Sequence, residues 1–183
     1  MKRFYMRWLT LALVVQAVCA WALTPISQEA MDAYSDAAKI MVRHLPDIHI
    51  AHRKVDDETA RRALDLFLDN LDFDHSYFLA SDVEAFRSRA TELDDAIGKG
   101  DFSFAFEVYE VFMERARNRV AYVDELLEED FGLDREEQYV WKRKELPWPE
   151  DEEAWDDLWR RKVKNQYVGR LVSERLDEES DVD

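Results

Sequence analysis

The sequence predicts an all-α protein, a single-domain helical bundle of about five main helices. Two observations carry this. Only four glycines and four prolines occur in 183 residues, too few for a sheet-rich or loop-rich chain. Apolar residues recur at steps of three and four nearly throughout, the period of a helix with one buried face.

The first helix spans about 27–45, with Ser27 as its cap and Pro46 as its stop. The second starts behind Asp56 or Asp57 and carries Ala60, Leu64, Phe67 and Leu71 on one face. After a turn, Ser81 with Glu84 three residues later reads as a capping box. It opens a third helix with Val83, Phe86, Ala90, Leu93 and Ile97 in register, closed by Gly98 and Gly100. The fourth and longest, about 103–129, has its main seam along Phe106, Tyr109, Met113, Ala116, Val120, Val123 and Leu127. Phe104, Val108 and Phe112 give it a second stripe, so it is expected to lie centrally. Residues 132–149 read as irregular, with 139–141 as a short extended piece. The last helix, about 150–176, aligns Trp155, Trp159, Val163, Tyr167 and Leu171. The acidic tail 177–183 reads as disordered.

The ends and the charge bound the biology. Lys2, Arg3 and Arg7 precede an apolar run, Trp8 to Val18, and Ala20-Trp21-Ala22 is an A-x-A site. This reads as a secretory signal peptide, residues 1–22, removed after Ala22. The run is too short for a permanent membrane anchor. Cys19 follows Val18 rather than the small residue a lipoprotein signal needs, and it would leave with the signal. The mature chain, 23–183, then has no cysteine, which suits an oxidising compartment. The signal carries three basic residues and no acidic one, so its removal takes the net charge from −16 to −19. Such a chain repels nucleic acid and anionic lipid and favours basic partners.

The sequence offers little catalytic chemistry. There is no G-x-S-x-G, S-x-x-K, P-loop or G-x-G-x-x-G motif. Ser35 and Lys39 share a helix face, a spacing common by chance. His44, His49 and His52 cluster around Pro46, and the pair His49/His52 supports an alternative reading as a metal-assisted hydrolase. No third fixed ligand is evident, so no metal or cofactor is expected. Neighbouring acids such as Asp94-Asp95, Glu128-Glu129 and Asp156-Asp157 point about 100° apart on a helix and read as solvated faces. His75 reads as a hydrogen-bonding pin for its turn.

The most specific stretch is LDFDHSYFLASDVEAF, residues 71–86. Turn chemistry explains Asp72, Asp74 and Ser76. It does not explain Phe73, Tyr77 and Phe78 together, which must dock into a core or offer a contact surface. The same two readings apply to the Trp-rich region 141–159.

Three segments in order resemble the N-terminal helical domain of the tail-specific proteases, or carboxyl-terminal processing peptidases. They are 71–86, LDDAIGKGDFSFAFEVYEVFMERARNRV at 93–120, and LPWPEDEEAWDDLWRRKVKNQYV at 146–168. The resemblance implies an exported, periplasmic protein and a family in which a helical domain precedes a PDZ domain and a Ser/Lys catalytic domain. It assigns no catalytic residue to this chain, because none of its segments matches the catalytic domain. The resulting expectation is a non-catalytic module, separated or truncated. Its partners would be a protein substrate, an adaptor or the remaining protease domains. The candidate contact surface is Phe73, Tyr77, Phe78, Trp155, Trp159, Val163 and Tyr167. A functionless structural remnant is the other alternative.

Overall fold

The computed structural model describes residues 27–48, 50, 55–128 and 136–180. The signal segment, Cys19, His49, His52 and residues 181–183 lie outside them. Six α-helices and one 3-10 turn occur among the described residues: α1 (Gln28–Ile48), α2 (Asp57–Leu71), α3 (Ala80–Ser88), the turn Ala90–Glu92, α4 (Leu93–Lys99), α5 (Ser103–Leu126) and α6 (Glu152–Ser180). The all-α expectation holds. The predicted third helix is divided into α3 and α4, because the backbone tightens at Arg89, whose N–H bonds Phe86 O at 3.1 Å.

Side-chain caps set several starts. Ser27 Oγ accepts from Ala30 N at 3.2 Å, and Asp56 Oδ1 accepts from Thr59 N at 2.9 Å. Asp151 Oδ1 does the same for Ala154 N at 2.9 Å. At α3 the expected Ser81–Glu84 box is not used. The helix begins two residues earlier, behind Leu79, and Asp82 reaches back to the Leu79 N–H at 3.0 Å. Pro46 does not stop α1, which includes it in its last turn and runs to Ile48. The acidic tail also departs from expectation, since α6 continues through residues 177–180.

Gly100 ends α4 with φ +71°, the left-handed region open to glycine. A Cβ there would lie 2.1 Å from Ser35 Oγ. That close approach is how α4 seats against α1.

Two apolar clusters form the core. One gathers Leu64 and Leu68 of α2, Phe78, Phe86 of α3, Val108 of α5 and Trp148. The other joins Leu79, Leu126 of α5, and Trp155, Trp159 and Val163 of α6. The buried face of α5 therefore uses Phe104 and Val108, the stripe read as secondary, together with Arg119 and Leu126. Much of the stripe read as the main seam faces outward: Phe106, Tyr109, Val120 and Leu127 are exposed. Both stripes have helical period. Which one is buried depends on where α2, α3 and α6 pack, information that periodicity within α5 does not contain.

Candidate functional site

The 71–79 turn is organised by one buried carboxylate. Asp72 is 1% exposed. Its Oδ1 accepts from Ser76 N at 2.8 Å. Its Oδ2 accepts from Tyr77 N at 2.9 Å, Phe78 N at 3.0 Å and Trp148 Nε1 at 3.0 Å. Four N–H donors thus converge on one side chain, which satisfies the backbone of a turn that makes no ladder. The fourth donor crosses 76 residues and ties the turn to the Pro147-Trp148-Pro149 segment.

His75 adds a second tie. Its backbone sits at φ +49°, a conformation histidine tolerates better than most residues. Its ring stacks on Trp148 with centroids 3.7 Å apart. Nδ1 donates to the Leu146 carbonyl at 2.6 Å, and Nε2 lies 3.3 Å from Asp69 Oδ1. The pin read from the sequence is therefore present, and its far end is Leu146. The Ser76 carbonyl accepts from two indoles of α6, Trp155 Nε1 at 2.8 Å and Trp159 Nε1 at 2.7 Å. The turn is a hub on which α2, α3, α6 and the Trp148 segment meet.

A serine and a lysine do touch here. Lys162 Nζ donates to Ser76 Oγ at 2.9 Å and to Asp74 Oδ2 at 2.7 Å. Ser76 Oγ in turn donates to Asp74 Oδ1 at 2.7 Å. A general base would accept the serine proton. In this arrangement the lysine donates and the aspartate takes the proton bond, so the trio is a structural triangle. Burial pushes the Asp74 carboxyl up, but the hydrogen bonds and charge of Lys162, with Ser76, hold it below the usual range. Ser35 and Lys39 do not form a pair: Lys39 Nζ bonds Asp36 at 3.2 Å.

Ion pairs clamp the helices around the hub. Arg115 of α5 grips Asp82 of α3 with Nε and Nη2 at 2.9 and 2.8 Å, and this pairing raises the arginine pKa despite partial burial. Arg119 is buried, lies 3.4 Å over the Trp155 ring and bonds Asp156. Asp157 instead pairs with Arg160 and Arg161. The adjacent acids Asp156 and Asp157 thus diverge as expected, but each is ion-paired rather than simply solvated.

Glu137 receives Arg160 through both terminal nitrogens at 2.9 and 2.7 Å and Lys164 Nζ at 2.8 Å. The Arg160 hydrogen bonds, then those of Lys164, hold its carboxyl at about 2. A depressed acid contributes stability above its ordinary range and loses it as pH falls through the folded value. The share of thermal stability that Glu137 contributes should therefore hold steady down to the usual glutamate value of 4.5 and then decline toward about 2. Glu137→Gln should flatten part of that decline, as read by circular dichroism across the same pH series.

A concavity lies elsewhere among the described residues. An apolar groove of about 700 Å³ runs between α1, α2, α4 and α5. Tyr34 and Met41 of α1, Phe67 of α2, Ile97 of α4 and Phe106 and Tyr109 of α5 line it. Tyr34, Met41, Phe106 and Tyr109 are exposed although large and apolar. The sequence reading missed this site, because Phe106 and Tyr109 have the same spacing as core residues. The signal that could have found it is the doubling of apolar stripes on α5, one more than a single core needs.

The candidate contact residues divide. Phe78, Trp155, Trp159 and Val163 are buried in the two core clusters and offer no surface. Tyr77 is half-buried, packed edge-on against Phe112 and Trp159. They are buried because the hub needs their rings and indole N–H groups as packing and donors. Phe73 and Tyr167 remain exposed. His44 is exposed, and no group of three metal-binding side chains occurs among the described residues. No helix among them is long and apolar enough to cross a membrane.

The tail specific protease N-terminal domain family matches residues 41–183. The chain is also similar to the tail-specific protease of Haemophilus influenzae, with 30% identity over 176 residues. That match covers 92% of this chain and 25% of the relative, so the chain spans a quarter of the relative's length.

Proposed function

Because the chain belongs to the tail-specific protease N-terminal domain family, we propose that it is the non-catalytic docking part of an exported tail-specific protease. Its partner in this reading is a protein substrate, an adaptor or the other protease domains. The supporting observation is the groove bounded by Tyr34, Met41, Phe67, Phe106 and Tyr109. Large apolar side chains left in an open groove gain by being covered, each fully buried one by roughly 1.5–3 kcal/mol. The hub serves this role indirectly. By fixing the end of α2 against α6, it holds the helix that contributes Phe67 to the groove.

Tyr34→Asp together with Phe106→Asp tests this reading. Tyr34 is 60% exposed and Phe106 38% exposed, so the pair should cost about 2 kcal/mol of folding stability, which thermal melts check. Binding to a family protease core that lacks its own helical domain, followed by calorimetry, should fall at least tenfold. Undiminished binding by the well-folded double variant would remove the groove from the account.

A further inference from the structure

A second surface stands apart from the groove and does not depend on the protease reading. Trp141 is 69% exposed and Phe73 is 63% exposed. Lys142 Nζ lies 4.8 Å from the centre of the Trp141 ring. Lys144 Nζ lies 5.1 Å from the centre of the Phe73 ring. Lys144 thus joins the Phe73 ring of a distant turn to a segment that carries the Trp141–Lys142 pair two residues away, and these two pairs make up the patch.

Among the described residues these two lysines carry no ion pair, in a chain that is strongly acidic. It has 41 acidic residues against 25 basic ones, so most cations can find a carboxylate. Neither Lys142 nor Lys144 pairs with Glu145, their sequence neighbour. Trp141 Nε1 has no hydrogen-bond partner there either. Arg143, between the two lysines, turns back to the Pro147 carbonyl at 3.3 Å. The patch thus offers N–H donors, positive charge and open ring surface. Its natural complement supplies acceptors, negative charge and apolar side chains.

We propose that the Phe73–Trp141–Lys142–Lys144 patch binds an acidic peptide segment that carries apolar side chains. An anionic membrane is the weaker match. Recognition of anionic lipid takes clusters of about four to eight cations, and this run holds three within a chain of net charge −16. A short peptide needs only the local field, because charges beyond about 10 Å are screened at ordinary ionic strength.

The test is fluorescence anisotropy of a fluorescein-labelled hexapeptide of alternating glutamate and leucine, titrated with the purified full chain. A hexapeptide of alternating lysine and leucine and vesicles of phosphatidylcholine with one-third phosphatidylserine are run alongside. The acidic peptide should bind saturably, and about 0.5 M salt should release it. Trp141→Ala, and Lys142→Glu with Lys144→Glu, should each weaken it about tenfold. Phe73→Ser, in a different segment, should weaken it too, and thermal melts identify any variant that fails to fold. Equal binding of the basic peptide overturns the proposal, as does wild-type affinity in the lysine variant. Binding of vesicles without binding of the acidic peptide overturns it in favour of a lipid surface.

Discussion

Replacing Asp72 by alanine is expected to cost about 4 kcal/mol, from orphaned buried donors at roughly 1–3 kcal/mol each with partial relaxation. Ser76, Tyr77 and Phe78 lose the acceptor for their backbone N–H groups, and Trp148 loses its indole partner. A loss of that size is a large share of the stability of a domain. Asp72→Asn keeps one oxygen but turns an amide N–H₂ toward donors. Its cost should be about 2 kcal/mol, between wild type and alanine. Urea unfolding followed by circular dichroism measures both. If alanine shifts stability by less than about 1 kcal/mol, the turn is held by something other than this carboxylate.

The role of Asp72 was only half legible in the sequence. Its place in a polar turn between two helices was clear from Asp72, Asp74 and Ser76 alone. Its partners were not, because Trp148 lies 76 residues away and three donors are backbone groups that no motif marks. The helices follow the same division. The period in Ala60, Leu64 and Phe67 marked α2, and Ser27 and the pair Asp56-Asp57 marked two helix starts, because those signals are local. The break between α3 and α4, the cap from Asp82 and the choice of stripe on α5 depend on tertiary neighbours. The clearest case is Phe73 beside Tyr77 and Phe78. All three are aromatics in one turn, yet Phe78 is in the core and Phe73 is in solvent. Only the direction of the Asp72-bound backbone separates them. The groove escaped notice for a related reason, since a partner-facing stripe and a core-facing stripe have one spacing.

Trp155→Ala should be the other severe change, at about 4 kcal/mol for loss of a fully buried indole. Trp155 has no exposure, and its ring supports the Arg119 guanidinium from 3.4 Å. Removing it leaves that cation over a void as well as opening a cavity. Trp155→Phe separates packing from hydrogen bonding. It keeps most of the volume and gives up the bond to the Ser76 carbonyl, but Trp159 Nε1 still donates to that oxygen at 2.7 Å. The expected cost is about 1 kcal/mol, aside from any small cavity. A phenylalanine variant as damaged as the alanine one would mean that the indole N–H, not the ring, anchors α6.

These effects describe how α6 and the Asp72 turn hold a frame on which the apolar groove is displayed. The role proposed for this frame is docking rather than catalysis. The direct measurement is cleavage of casein and of a C-terminally tagged substrate by the purified chain, alone and added to a family protease core without its own helical domain. The account predicts no cleavage by the chain alone and a changed rate when it joins the core. Cleavage by the chain alone, or a core whose rate does not respond to it, would contradict the account.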